Sequence, residues 1–160
     1  MRARRGAAHG AKVFPVLIEA KNILPAGTWS GPARRVTLDY DRRFRRRLRF
    51  VTEEGTEILL NLPEAVHIRG GDALALEDGS LVEVRAADEA LLEVTASTPD
   101  ALIRLAWHLG NRHLSVQFFP GRLRILADHV IADMVRKLGG EAVPVRAPFD
   151  PEGGAYHHHG

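Results

Sequence analysis

The chain has 160 residues, 45% of them apolar and 26% charged, enough for one domain of ordinary size or two small ones. Its formal charge is only +2, so net charge argues neither for nor against a nucleic-acid partner. It has no cysteine, which excludes disulfides, thiolate catalysis and cysteine-based zinc or iron–sulfur sites.

Residues 1–11 are rich in Arg, Ala and Gly and read as disordered, with His9 solvated among them. The basic start, Met1-Arg2-Ala3-Arg4-Arg5, is not followed by a long apolar run, because Pro15 and Glu19 interrupt residues 13–18. That makes a poor signal peptide, and nothing approaches the ~20 apolar residues needed to cross a bilayer. A soluble cytoplasmic protein is the expectation.

Residues 12–90 read as a small all-β domain. Short apolar or alternating runs at residues 13–18, 36–40, 48–52, 57–62, 73–76 and 81–84 are separated by turn signals. Those signals are Pro25-Ala26-Gly27, Gly31-Pro32, Glu54-Gly55, Gly70-Gly71-Asp72 and Asp78-Gly79-Ser80. Inside this domain lies a basic block of Arg42, Arg43, Arg45, Arg46, Arg47 and Arg49, flanking Phe44, Leu48 and Phe50. Two readings compete: a solvated edge whose arginines discourage edge pairing, and a surface for an anionic partner, protein ahead of RNA. No aromatic ladder accompanies the block to stack bases.

Residues 91–149 change texture. A strand at 91–96 leads to Thr98-Pro99-Asp100, which combines an N-cap, a proline at the first helical position and a first-turn acid. Leu102, Leu105, Ala106 and Leu109 recur at helical spacing, and Gly110 is expected to supply the left-handed stop. Strands follow at 114–119 and 123–126, a second helix at 128–138 ends at Gly139-Gly140, and a last strand lies at 142–145. Strand, helix, strand, strand, helix, strand is the ferredoxin-like order. The fold class is therefore α+β: an N-terminal β domain, a ferredoxin-like βαββαβ domain, and a tail over 150–160. Phe149 onward, with Pro151, Gly153 and Gly154, is expected not to pack.

The histidines are the residues with metal chemistry to offer. His113 follows Gly110 by three residues, at the rim of the domain. It reads either as a capping histidine near a helix C-terminus or as one imidazole of a metal site completed by a two-fold partner. His108 reads as packed in its helix, and His67 has no nameable partner. His129 has Asp133 at i+4, a spacing that chelates a metal or simply forms a hydrogen bond. His157, His158 and His159 read as a metal-binding tract or as a tag remnant. No phosphate loop, nucleophile elbow or His-Glu-x-x-His is present, so no enzyme is expected.

The run Trp107-His108-Leu109-Gly110-Asn111-Arg112-His113, with Val116-Gln117, Asp128-His129-Val130 and Asp133-Met134, resembles the UreE family of urease accessory proteins. Pro148-Phe149-Asp150-Pro151-Glu152-Gly153-Gly154-Ala155-Tyr156-His157 is similar to that family's exit into a histidine-bearing tail. The resemblance spans essentially the whole chain. It implies a nickel metallochaperone, homodimeric through the ferredoxin-like domain, serving urease apoprotein with other accessory proteins, one a GTPase. Ni(II) is the implied metal, with Zn(II) or Cu(II) as in vitro substitutes. His113 matches the family's interfacial ligand and His129 an auxiliary one. Members that use the auxiliary site carry another histidine where this chain has Ala127. The rivals are an RNA-binding module gripping phosphates with Arg42–Arg49, and a metallohydrolase, for which no third fixed ligand is evident.

Overall fold

The structure is a computed structural model, and it describes residues 16–153. His9 and His157–His159 lie outside the described residues.

The N-terminal part forms a six-stranded sheet from β1 (Ile18–Leu24), β2 (Arg34–Leu38), β3 (Arg47–Val51), β4 (Glu57–Asn61), β5 (Ala73–Leu76) and β6 (Leu81–Ala86). Its order is β2-β6-β5-β1-β4-β3. Most neighbours are antiparallel; β1 with β4 and β2 with β6 are parallel. The Asp78-Gly79-Ser80 turn joins β5 to β6 as a hairpin, pairing Leu74 with Val82. Alternate residues of these strands meet in one core, centred on Leu38, Ile58, Leu60, Leu74, Val82 and Val84.

This part is not purely β. Tyr40–Arg43 is a one-turn helix, α1, capped by Asp39, whose Oδ1 accepts the Arg42 N–H at 2.8 Å. The basic block is thereby split. Arg42 and Arg43 belong to α1, whereas Arg47 and Arg49 lie on β3, an edge strand paired only with β4. Arg45, Arg46, Arg47 and Arg49 are exposed, as an edge of arginines requires.

The C-terminal part runs β7 (Asp88–Thr95), α2 (Pro99–Asn111), β8 (Gln117–Phe119), β9 (Arg122–Leu126), α3 (His129–Lys137) and β10 (Glu141–Pro148). The sheet is antiparallel with order β10-β7-β9-β8. Both helices pack on one sheet face, where Leu92, Val94, Leu105, Leu109, Ile125 and Val135 form a second core. The starts are those the sequence specifies. Thr98 Oγ1 accepts the Ala101 N–H at 3.1 Å, and Asp128 Oδ1 accepts the N–H groups of Val130 and Ile131.

One segment departs from expectation. Phe149 is fully buried and Pro151 is buried, although both stand where an unpacked tail is predicted to begin. The chain leaves β10 on one edge of the sheet and crosses its end as a strap. The Asp150 N–H reaches Gln117 Oε1 (3.2 Å), and the Glu152 N–H donates to the Val116 carbonyl (2.9 Å) beside β8 on the opposite edge. The Phe149 ring sits edge-on to Tyr40 of α1, with centroids 5.2 Å apart. Tyr40 also joins the two parts through its hydroxyl, 3.0 Å from Ser115 Oγ, and its N–H, 3.0 Å from Glu89 Oε2.

A fully buried phenylalanine truncated to alanine costs about 3–5 kcal/mol. Phe149→Ala is therefore expected to lower the urea unfolding midpoint sharply. A loss below about 1 kcal/mol, the level of an ordinary surface change, would show that the strap lies on the core rather than in it.

Candidate metal site

The two helices of the C-terminal part end in the same hydrogen-bonded turn. In α3 the N–H of Gly139 bonds the Arg136 carbonyl (3.0 Å) and the N–H of Gly140 bonds Val135 (2.9 Å). In α2 the N–H of His113 bonds Gly110 (3.0 Å) and that of Leu114 bonds Leu109 (3.3 Å). These are the paired bonds of a Schellman cap, with an apolar contact expected between the residue after the left-handed position and the last turn. Leu114 and Leu109 supply it inside the second core.

The residue in the left-handed position differs. In α3 it is Gly139, at φ 86°. In α2 it is His113, at φ 59°, the one non-glycine with positive φ among the described residues. Gly110, the expected stop, lies within the last helical turn, and the helix continues through Asn111. Leu114 spends its N–H on the cap, so the following strand starts only at Gln117. A left-handed L-residue costs roughly 1–2 kcal/mol. In return the imidazole stands exposed at a rigid corner, with its backbone fixed by the cap.

His129 is the first residue of α3 and is exposed. Its i+4 neighbour Asp133 pairs with Arg136 at 3.5 Å, and among the described residues no His129–Asp133 ion pair forms. His129 and Asp133 line a groove of about 460 Å³ that runs from Arg112, next to His113, along Val130, Met134 and Leu138. Among the described residues no three His, Asp or Glu side chains converge as a metal-holding group. His108 is half-buried in α2, its ring edge-on to Trp107.

Arg43 corrects the sequence reading. Expected with Arg42, Arg45, Arg46 and Arg47 on a surface for a partner, it has no solvent exposure. Its guanidinium donates to the carbonyls of Leu38 (3.1 Å), Ile68 (3.1 Å) and Phe149, and to Asp150 Oδ1 (2.6 Å). A buried guanidinium has to be satisfied this way, and without solvent exposure it cannot meet a partner. Nη1 also lies 3.3 Å from His67 Nε2. His67 thus has partners that sequence reasoning missed. It packs edge-on to Tyr40, and burial, then the charges of Arg43 and Arg69, push its pKa down to about 4. The available signal was Phe149, a large apolar residue in an otherwise polar stretch.

The open face of the C-terminal sheet gives RNA little purchase. Phe119 there already carries the guanidinium groups of Arg122 and Arg124, each 4.7 Å from its ring centroid. Glu93 lies 3.4 Å and 3.1 Å from those two arginines and offsets their charge.

Comparison with known proteins supplies the family. Residues 20–87 match the model described as UreE urease accessory protein, N-terminal domain, and residues 89–160 match its C-terminal domain. The urease accessory protein UreE of Rhodopseudomonas palustris strain HaA2 is 55% identical over 141 residues, covering 88% of this chain and 66% of that protein. Its counterpart in Rhodobacter capsulatus is 51% identical over 137 residues, covering 86% and 85%. That of Ruegeria pomeroyi is 50% identical over 138 residues, covering 86% and 91%. The chain thus spans about two thirds of the length of the Rhodopseudomonas relative. No described helix is long and apolar enough to cross a membrane.

Two predictions follow from the caps and from His67. His113→Gly should raise metal-free stability by about 1 kcal/mol, since glycine relieves the left-handed strain. Gly139→Ala should lower it by a similar amount, because nothing lies within 4 Å of the added Cβ and only conformation opposes it. Chemical denaturation in chelator reads both, and equal signs would refute the strain at His113. For His67 the folded pKa is below the unfolded one, so the unfolded chain binds the extra proton. Stability should fall as pH drops from about 6.5 towards about 4, and His67→Gln should flatten that part of the profile.

Proposed function

The chain belongs to the UreE family of urease accessory proteins, and on that premise we propose that it carries nickel into the urease active site during assembly. The family is one of accessory proteins, not of enzymes. The observation that carries the nickel reading is His113: an exposed imidazole held where the backbone favours glycine, at the family-matching position. Strained positions of this kind concentrate at functional sites.

One protomer offers too few fixed donors for a tight site, and a second copy supplies more. The helix layer next to His113 exposes Ile103 (66%), Trp107 (64%), Val130 (54%) and Leu138 (44%). A homodimer that covers this apolar layer brings two His113 imidazoles together, since a two-fold contact pairs a patch with itself. His157, His158 and His159 complete the site from the tail, and His129 adds a donor at its margin. An all-imidazole site suits Ni(II) and also accepts Zn(II) or Cu(II). Ligands gained and lost one at a time allow capture and then release.

The partners on this reading are urease apoprotein and the other accessory proteins, including a GTPase, in the cytoplasm. Arg42, Arg46 and Arg47, which pair with no carboxylate among the described residues, flank the exposed Phe44 in sequence and offer positive charge to an acidic protein partner. Arg45 borders it, tied to Asp41 at 2.6 Å.

Calorimetric nickel titration of His113→Ala, in a chain ending at Tyr156, tests the reading. That chain lacks the tail imidazoles, so the two His113 rings are its central donors, and their loss should lower affinity on the order of 100-fold or more. Unchanged affinity would defeat the proposal.

A further inference from the structure

Gly110 has no steric reason to be a glycine where it stands. It lies in the last turn of α2, its φ is not positive, and a Cβ added to it meets nothing within 4 Å. Alanine would suit this backbone better, since glycine inside a helix is disfavoured about 4- to 5-fold against alanine. Three residues on, His113 takes the left-handed position that glycine accepts and other L-residues resist, roughly 5- to 30-fold. At the end of α2 these two residues stand in each other's preferred places.

The same sequence offers a second ending. With Gly110 left-handed, its N–H would bond the Trp107 carbonyl and the Asn111 N–H the Ala106 carbonyl, the same paired cap three residues earlier. That ending uses the glycine and relieves His113. It gives up the apolar contact of the cap, because the residue after the left-handed position is then the polar Asn111 instead of Leu114. The observed ending is held by Leu114 in the second core and by Ser115, whose Oγ lies 3.0 Å from the Tyr40 hydroxyl. Val116 is buried and bonded to the Glu152 N–H, so it stays in place in either ending. Six residue steps separate Gly110 from Val116, a reach of about 20 Å, so the shorter helix still connects.

We infer that the end of α2 is a two-state hinge: capped at His113 it presents the imidazole, and capped at Gly110 it withdraws it, so that the second cap is the route by which bound metal is released. This rests on the reading of His113 as a nickel ligand. In the first ending the ring stands on a corner fixed by the cap. In the second it lies in the loose connection between Gly110 and Val116. Nickel needs the ring and so holds the first ending, and the share of time spent in the second sets how readily the ion leaves. Tyr40 is a positioning residue for this hinge. It touches no metal, and through Ser115 it favours the first ending from the neighbouring domain.

The test compares the full chain with Gly110→Ala, Tyr40→Phe and Ser115→Ala. Metal-free amide hydrogen exchange reads the hinge at His113 and Leu114, whose N–H groups are bonded in the first ending and freed in the second. Gly110→Ala opposes the second ending twice, as a poorer left-handed residue and a better helical one. Exchange at both amides should slow at least about 10-fold. A slowing of about 5-fold or less is what helix propensity alone provides, and it would overturn the second cap. Tyr40→Phe and Ser115→Ala each remove one hydrogen bond, so each should quicken exchange about 5-fold; no change in either would overturn the role of Tyr40. Loaded with nickel, Gly110→Ala should release the ion to excess chelator at least about 10-fold more slowly, and Tyr40→Phe about 5-fold faster. Release rates indifferent to both substitutions, with exchange responding as expected, would overturn the hinge as the exit route. If His113→Ala leaves nickel binding intact, the reading of His113 fails instead, and the metal-free exchange tells the two failures apart.

Discussion

The Arg43 guanidinium is buried at the junction of two small cores, and much of the architecture is the response to it. An unpaired charge there would be severely destabilising, so the surrounding chain has to bring acceptors to it. Leu38 and Ile68 do so from the N-terminal part, and Phe149 and Asp150 do so from the strap. The acceptors arrive from both ends of the sequence, so the charge is satisfied only when both domains are folded and docked. His67 is kept neutral by its burial and then by the same cation beside it. Each core is modest, and small cores gain from such mutual support.

The second organising feature is a contrast within one domain. Two helices close with the same pair of backbone bonds, one around Gly139 and one around His113. The α3 end takes the residue that costs least. The α2 end accepts strain and gains a side chain at a fixed corner. On the proposed reading, stability and metal capture pull that position in opposite directions, as is common where function needs a particular group in a particular place. On the proposed reading, the strain is tolerated because the Leu114–Leu109 contact and the cap hold the corner rigid.

The domains then have complementary duties. On the proposed reading, the ferredoxin-like part presents His113 and an apolar layer for a second copy. The N-terminal part, on the same reading, offers an arginine edge to partners, and from its buried α1 residue it holds Phe149 and Asp150 of the strap. Arg42 and Arg43 are neighbours in sequence with different fates, one half-buried and one sealed in. One turn of helix is enough to separate a partly exposed charge from a buried one.

Periodicity and capping chemistry were legible without coordinates. Most strands of both parts, the Thr98 and Asp128 starts, the Gly139 stop and the strand–helix order follow from local alternation and hydrogen-bonding side chains, which act over a few residues; β1 is the exception, expected at 13–18 and found at Ile18–Leu24. The place of His113 at the rim of its domain was legible too, from the helix stop just before it; its reading as a metal ligand came from the resemblance. Three things were decided only by tertiary structure. Gly110 is bypassed because Leu114 finds Leu109 in the core and pulls the left-handed residue along to His113. Arg43 leaves the basic block because residues more than a hundred positions away supply its acceptors. Phe149 packs because Tyr40 is there to receive it. Local sequence determines which conformations are inexpensive; which of them survive depends on contacts between residues far apart in the chain, and those exist only once the two cores meet.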